Sequence, residues 1–304
     1  MAARRERSWG ERLIILAPLL WLVALFLVPS LIILKISFSQ TALAQPPYTP
    51  VVDLSAGLSG MREFLAALSP ANYVDLASDT IYISSYLRSV EIAALATLIL
   101  LVIGYPLAYG IARAPPRVQA MLVLAVVLPF WTSFLIRVYA WINILQHDGL
   151  LNRTLLALGI VHQPITWLAT DTAIYIGLVY SYLPFMVLPL YAALQKTDDT
   201  LLEAAADLGC PRWKAFWSIT LPLSLPGAAA GALLCFIPIV GEFVIPDLLG
   251  GSQTMMIGQT LWVEFFSNRD WPVASSIAMV LLCLLVGPIA IYENLRVRNT
   301  RGVR

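Results

Sequence analysis

The sequence has 304 residues, of which 59% are hydrophobic and 12% are charged, and its formal net charge is +1. This composition excludes an ordinary water-soluble globular domain. The near-zero charge says little about partners, and no basic, aromatic-rich patch indicates a nucleic-acid partner. The three cysteines and two histidines are too scattered for a disulfide framework or a metal site, so we expect no metal and no cofactor bound by this chain.

Six hydrophobic blocks determine the predicted fold class. Each is about 20 residues long and almost free of charge, which is the length that crosses the hydrocarbon core of a bilayer. They are residues 13–34, 92–111, 118–136, 172–194, 222–245 and 273–292. We therefore predict an all-α, polytopic membrane protein with six transmembrane helices.

The basic residues predict the orientation of these helices. With a cytoplasmic N-terminus, thirteen of the 19 lysines and arginines lie inside and six, including Arg137, lie outside. This excess on the inner side follows the positive-inside rule. Residues 1–12 and 294–304 are then predicted to be cytoplasmic tails.

The first block, part of a predicted transmembrane helix at residues 13–35, has a second interpretation. Ala42-Leu43-Ala44 follows a basic start and an apolar run, as a signal-peptidase site does. The run is longer than a usual signal sequence, and Lys35 interrupts it. We favour an uncleaved helix, and cleavage would leave the later helices in the same orientation.

Residues 36–85 form a predicted periplasmic segment with short amphipathic helices at residues 61–68 and 70–76. This segment could cap a pore, touch an external partner or be a surface addition. The five remaining helices are predicted to form a compact core at residues 86–293.

Prolines are expected to interrupt the core helices. They are Pro106, Pro129, Pro184, Pro189, Pro226, Pro238 and Pro288. Within a membrane, a broken helix is tolerated only where its freed carbonyl groups are buried in protein or line a wet cavity. The prolines are therefore consistent with a translocation path, although helix packing alone uses the same residues.

The loop at residues 195–222 contains the most informative motif of the chain. Thr200-Leu201-Leu202-Glu203 predicts a capping box at a helix start, and the helix formers Ala204 to Ala206 follow it. Gly209 predicts a left-handed helix stop, and Pro211 the start of a second helix. The orientation places this helix pair in the cytoplasm, where it could serve as a docking surface.

The spacing E-A-A-x3-G-x9-I-x-L-P resembles the EAA loop of permease subunits in bacterial binding-protein-dependent ABC importers. The matching run includes Glu203, Ala204, Ala205, Asp207, Gly209, Leu221 and Pro222. In that family the loop forms coupling helices that lie in a groove of a cytoplasmic ATPase. The resemblance implies two copies of that ATPase, which bind ATP and Mg²⁺; the 304 residues contain no G-x-x-x-x-G-K-S/T phosphate-binding loop. Taken singly, Glu203 and Gly209 could be only a helix cap and a helix stop.

Substrate-path candidates lie in the outer halves of the predicted helices. Glu242 is the main one, because a carboxylate is costly in hydrocarbon. The helix rise places it about 30 Å from Pro222, near the outer mouth. Aromatic walls beside a carboxylate suit an organic cation. The other candidates are Phe130, Trp131, Tyr180, Tyr182 and Asp247. All of them also have a plainer interpretation, as interfacial, packing or loop residues.

Three stretches, at residues 129–141, 236–251 and 264–272, resemble permeases of the putrescine and spermidine/putrescine importers. The resemblance covers most of the chain and implies a core like that of the methionine-importer permease, formed by helices 2–6 in the bacterial inner membrane. It also implies import of a polyamine, putrescine first, with a second permease subunit as heterodimer partner and a periplasmic polyamine-binding protein. The alternatives are an ABC permease for spermidine, an amino acid, iron or a sugar, and an ion-coupled carrier that uses Glu242.

Overall fold

The structure is a computed structural model that describes residues 9–51, 62, 64, 66–251 and 254–301. The chain divides into two compact units: a central unit, residues 81–260, and a terminal unit that combines residues 1–80 with residues 261–304. Within the described residues the elements are helices, apart from two short antiparallel strands, β1 (Gln40–Thr41) and β2 (Tyr48–Thr49), in which Gln40 pairs with Thr49. The predicted all-α class is confirmed.

The described residues form fourteen α-helices. Those of the terminal unit are α1 (Trp9–Leu22), α2 (Val28–Ser37), α3 (Ala71–Ser78) and α14 (Trp271–Arg301). Those that lie largely in the central unit are α4 (Thr80–Ala112), α5 (Pro116–Val127), α6 (Phe134–Leu145), α7 (Leu150–Ala157), α8 (Asp171–Gln195), α9 (Asp199–Asp207), α10 (Arg212–Ala215), α11 (Leu221–Val240), α12 (Val244–Leu249) and α13 (Ile257–Trp262). Short turns of other helix types also occur: π-turns at Val23–Leu27, Phe216–Thr220 and Val263–Ser267, and a 3-10 turn at Leu128–Trp131.

Four described helices are long and apolar enough to cross a membrane. They are Ile14–Ser37, Thr80–Ala112, Asp171–Gln195 and Arg212–Val240. These helices coincide with the first, second, fourth and fifth predicted transmembrane helices. The last predicted helix, residues 273–292, falls within α14, whose apolar part, Trp271–Gly287, is shorter.

The third predicted transmembrane helix, residues 118–136, is not one straight helix. Two helical segments, Pro116–Trp131 and Phe134–Ala157, meet there at 89°. Pro129 lies in the 3-10 turn before the bend, and Thr132 and Ser133 have extended backbones. Because proline removes a backbone donor and crowds the preceding turn, the first segment ends here.

At the other core prolines the expected interruptions do not occur. The helices continue through Pro106 in α4, Pro184 and Pro189 in α8, Pro226 and Pro238 in α11, and Pro288 in α14. Membrane helices tolerate such prolines, because neighbouring groups and local adjustment satisfy the freed carbonyls. Of these prolines, only Pro129 marks a break.

Met186 of α8 is fully buried and lies where α4 and α11 pack against α8. A Cβ added to Gly104 of α4 would lie 2.9 Å from Met186 Cγ, and one added to Gly231 of α11 would lie 3.1 Å from the Met186 carbonyl oxygen. About one turn along α11, a Cβ on Gly227 would lie 2.4 Å from Ala193 Cβ. Glycine thus lets α4 and α11 approach α8 closely, as small residues do between membrane helices.

Hydrogen bonds join α2 and α3 in the terminal unit. The Asn72 amide donates to the carbonyl oxygens of Ser37 and Ser39, each at 2.8 Å, and Ser37 Oγ lies 2.6 Å from Tyr73 Oη. These bonds satisfy carbonyl groups at the end of α2 that lack intrahelical partners. Helix α3 confirms the predicted helix at residues 70–76. Of the helix predicted at residues 61–68, the structure describes residues 62, 64 and 66–68, and all of these except residue 68 are helical.

Replacing Gly227 by alanine tests the packing of α11 on α8. The new Cβ would meet Ala193 Cβ and the Pro189 carbonyl oxygen, 2.8 Å away, which is held by the backbone. We expect Gly227→Ala to lower the free energy of unfolding by about 1–3 kcal/mol and to lower the melting temperature of the purified protein. Gly110→Ala is the matched control, because a Cβ there meets nothing within 4 Å. Equal melting temperatures for the two variants would contradict this packing.

Candidate functional site

The loop between α8 and α11 folds as two short helices, α9 and α10. The predicted capping box at Thr200 is wrong, because the N-cap residue is Asp198. The Asp198 carboxylate accepts a hydrogen bond from the Thr200 N–H at 3.0 Å, and this bond lowers the pKa of the Asp198 carboxyl below its usual value. A carboxylate satisfies the free amides of the first turn as a hydroxyl would, and its charge also interacts favourably with the helix dipole. The cap is therefore ionised at neutral pH and is lost only as the pH falls through that lowered pKa.

Gly209 ends α9, as predicted. Its φ of +74° lies in the left-handed region, which favours glycine. The Gly209 N–H donates to Ala206 O at 2.8 Å, and the Cys210 N–H donates to Ala205 O at 2.9 Å. These two bonds are the pattern of a Schellman motif. Pro211 follows as the N-cap of α10, so the turn determines where the second helix begins.

The side chains of α9 and of the turn after it leave a largely exposed surface. Glu203, Ala204 and Asp207 are exposed, Ala205 is buried, and Leu208 is 88% exposed. We call Glu203, Ala204, Asp207 and Leu208 the loop surface. Because the alanine side chain is short, a partner's backbone can approach α9 closely here, and the exposed leucine offers an apolar contact.

Beside α9 lies a cleft of about 410 Å³. Glu203 lines it together with Arg113, just after α4, and Arg212, at the start of α10. Two guanidinium groups and one carboxylate give this lining an excess of positive charge. The cleft can therefore receive acidic side chains of a partner.

Helix α10 continues directly into α11. Arg212–Val240 is one helix of 29 residues, interrupted only in its hydrogen-bond register by the π-turn at Phe216–Thr220. The predicted motif residues Leu221 and Pro222 begin α11. Proline has no N–H to donate, so Pro222 tolerates the change of register that a π-turn produces. Helix α10 of the loop and the fifth predicted transmembrane helix are thus one rod.

Glu242 lies just beyond the far end of this rod, about 30 Å from Leu221 along the helix. Its half-buried carboxylate accepts two hydrogen bonds, from the Tyr182 hydroxyl at 2.7 Å and from the Val244 N–H at 3.1 Å. Glu242, which precedes the N-cap residue Phe243, therefore satisfies the first amide of α12 and joins this helix to α8.

Aromatic rings extend from Tyr182 to the bend after Pro129. The rings of Tyr182 and Phe185 lie 6.0 Å apart, and those of Phe185 and Phe130 lie 5.3 Å apart in an edge-to-face arrangement. We call Glu242, Tyr182, Phe185 and Phe130 the outer cluster. It unites three of the six predicted substrate-path residues.

The other three predicted residues lie apart from these contacts. Tyr180 packs edge to face against Trp141 at 5.4 Å, Trp131 is 75% exposed, and Asp247 accepts a hydrogen bond from a glutamine side chain at 3.3 Å. Tyr180 precedes Tyr182 by two residues, and side chains at that spacing project to different sides of a helix.

Two residues that contact the predicted ones, Phe185 and Arg137, were not predicted as candidates from the sequence. Phe185 follows Tyr182 by three residues, a spacing that places both on one helix face and could have identified it. Arg137, assigned from its charge to an outer loop, lies in α6 and is only 9% exposed. Its guanidinium carbon is 4.8 Å from the Phe130 ring centre and 5.8 Å from that of Phe134. The bend between these phenylalanines decides the contact, and no local pattern encodes it.

Comparisons with known proteins identify the family and the fold of this chain. The family model for binding-protein-dependent transport system inner membrane components matches residues 104–292, which include the loop surface and Glu242. The spermidine/putrescine transport system permease protein PotB of Haemophilus influenzae is 37% identical over 272 residues, 90% of this chain and 89% of that protein. PotB of Escherichia coli K12 is 41% identical over 221 residues, 73% of this chain and 80% of that protein. A chain in the crystal structure of a bacterial alginate ABC transporter, in complex with an alginate pentasaccharide-bound periplasmic protein, has the same fold, with a TM-score of 0.70, 16% identity, and coverage of 96% of this chain and 95% of that chain.

Gly209→Ala tests the left-handed turn after α9. A Cβ in this conformation is strained by about 1–2 kcal/mol, so the two Schellman hydrogen bonds should open more often. We expect hydrogen exchange at the Cys210 amide to become about tenfold faster. Gly209→Asn should change it less, because asparagine tolerates the left-handed region. The same exchange rate in wild type and both variants would contradict the assigned turn.

Proposed function

The chain belongs to the family of inner membrane components of binding-protein-dependent transport systems, and we propose that it is the permease subunit of an ATP-driven importer that moves a polyamine from periplasm to cytoplasm. The observation that carries the proposal is one helix of 29 residues that begins one turn of chain after the exposed loop surface and ends two residues before Glu242. The substrate class rests on the two PotB relatives, whose names specify spermidine and putrescine.

In this proposal the energy comes from a separate chain. Two copies of a cytoplasmic ATPase bind ATP and Mg²⁺, and one of them docks on the loop surface. The alanine allows close approach, and the positive lining of the cleft beside Glu203 suits acidic side chains. When the ATPase closes, α9 and α10 move, and the rod carries this movement to the outer cluster.

The protein is a multi-pass inner membrane protein, and we place both of its termini in the cytoplasm. A single chain forms half of the pathway in this proposal, and a second, related permease forms the other half. Exposed apolar side chains on α4, such as Leu98 (55%) and Val102 (65%), support a surface that contacts lipid or that second permease. A periplasmic polyamine-binding protein delivers the substrate.

The outer cluster is the proposed contact for one ammonium group. An ionised carboxylate has about four acceptor positions, and Tyr182 and Val244 use two of those on Glu242. The remaining positions can accept N–H groups of a cation, and the rings of Tyr182 and Phe185 add cation–π attraction of about 0.5–2 kcal/mol. Among polyamines we propose putrescine as the substrate, with spermidine as the alternative.

Uptake by reconstituted vesicles tests the proposed function. The chain would be combined with its second permease, the ATPase and the binding protein, and labelled putrescine, spermidine, an amino acid and a sugar would be offered. We expect ATP-dependent accumulation of a polyamine. Accumulation of another solute would change the substrate class, and accumulation driven by a proton gradient without the ATPase would identify an ion-coupled carrier instead.

Glu203→Lys tests the docking of the ATPase. The substitution adds a third positive group to the cleft that Arg113 and Arg212 line, so the partner's acidic groups and its close approach are both disturbed. We expect uptake to fall about tenfold, which lies within the range of effects that coupling free energies between two sites produce. Membrane insertion should remain normal. Asp148→Lys, the same charge reversal at a side chain that is 89% exposed, should leave uptake unchanged. Normal uptake by Glu203→Lys would rule out a coupling role for this residue.

Glu242→Gln tests the cation contact. The glutamine oxygen can still accept from Tyr182, so the helices should assemble, but the charge that attracts an ammonium group is gone. We expect diamine uptake to fall by a factor of about ten to one hundred. This is the factor by which the loss of a hydrogen bond to a charged group lowers affinity. Asp148→Asn is the matched control for loss of one carboxylate. Uptake at the wild-type rate would leave Glu242 only its structural role, as the acceptor of hydrogen bonds from Val244 and Tyr182.

A further inference from the structure

The π-turn lies where the docking loop joins the membrane helix. Phe216–Thr220 separates α10 from α11, and the Leu221 N–H donates to the Phe216 carbonyl oxygen, five residues earlier rather than four. Turns of this kind insert one residue into a helix and are frequent at functional positions.

Phe216, the first residue of the π-turn, packs against two tyrosines of α4. Its ring centre lies 5.7 Å from that of Tyr105 and 5.8 Å from that of Tyr109, and both interplanar angles are 86°. The tyrosines are four residues apart and therefore lie on one face of α4. Edge-to-face contacts at these distances are attractive and depend on direction. We call Phe216, Tyr105 and Tyr109 the aromatic joint.

A hydrogen bond holds α4 to the other side of the same turn. The Tyr105 hydroxyl lies 2.8 Å from Ser224 Oγ, which is on α11 and fully buried. Ser224 Oγ donates its single proton to Leu221 O at 2.9 Å, so the Tyr105 hydroxyl is the donor to Ser224. Helix α4 is thus attached at the first residue of the π-turn and again after its end.

The contacts of α4 with the π-turn lie next to its contact with α8. Gly104 precedes Tyr105 and is the glycine of α4 that contacts Met186 of α8. A displacement of α4 at the aromatic joint is therefore passed to α8, because this contact leaves no free space. Side chains that pack in series are the physical route by which movement passes between sites.

We propose that the aromatic joint transmits the movement of the docking loop to α4, so that α4 and α11 move together during import. This inference rests on the proposed function, since an ATPase must first move the loop. Helix α11 is continuous with the loop and follows it directly. Helix α4 is a separate element, and the contacts of Phe216 and Ser224 attach it to the turn. Phe216 is a positioning residue in this role, because the outer cluster lies at the far end of the rod.

The test measures polyamine transported per ATP hydrolysed by the complete transporter in vesicles. Phe216→Leu keeps an apolar side chain but removes the ring. We expect about tenfold less transport per ATP, with unchanged assembly, ATP hydrolysis and half-saturating polyamine concentration. Tyr109→Phe keeps the ring and removes only the hydroxyl, so it should behave as wild type.

A second measurement tests the aromatic joint even if the Phe216→Leu variant assembles poorly. Phe216→Cys and Tyr109→Cys would be combined in a chain whose own Cys210, Cys235 and Cys283 are replaced by serine. Bridging the two new thiols with a short bifunctional reagent should restore transport per ATP that the unbridged protein has lost. No recovery on bridging, or an unchanged ratio in Phe216→Leu, would overturn the aromatic joint. Failure of the wild-type chain to bind an ATPase would instead overturn the proposed function.

Discussion

One continuous helix, which contains a single π-turn, runs from the loop between α8 and α11 to the neighbourhood of Glu242, and the other features of the candidate site are placed relative to it. Arg212–Val240 has 29 residues and spans about 40 Å. Its position is fixed by close packing on α8, where Gly227 and Gly231 bring the two backbones together. Because the helix is continuous, we expect a displacement of its loop end to move its far end as well.

The two ends of this rod carry different chemistry, and this separation fits a transport subunit. At the loop end, charged and small side chains around Glu203 are exposed, as a surface that binds another chain requires. At the outer end, Glu242 is half-buried and hydrogen-bonded to Tyr182. A carboxylate there retains acceptor capacity for a cation. These features support the proposed roles of the two ends, in coupling to an ATPase and in contacting the substrate, and the 304 residues contain no phosphate-binding loop.

Features that depend only on neighbouring residues were predicted from the sequence more accurately than features that depend on tertiary packing. Gly209 was predictable as a helix stop because a left-handed residue and its two hydrogen bonds involve only neighbours. The N-cap is Asp198, two residues before the predicted one, because several polar residues in succession can cap a helix. Pro129 and Pro184 look alike in the sequence, yet only Pro129 stands at a bend, since surrounding packing decides whether a helix continues. The burial of Arg137 depends on that bend and was therefore out of reach.

The most direct measurement asks where the loop surface lies and what covers it. Leu208, which is 88% exposed, would be replaced by cysteine in a chain without its native cysteines, and a membrane-impermeant thiol reagent would be added from either side of the membrane. Labelling is expected from the cytoplasmic side alone, and bound ATPase should protect the thiol. Labelling from the periplasmic side, or labelling that the ATPase leaves unchanged, would contradict the proposed coupling of this permease to a separate ATPase.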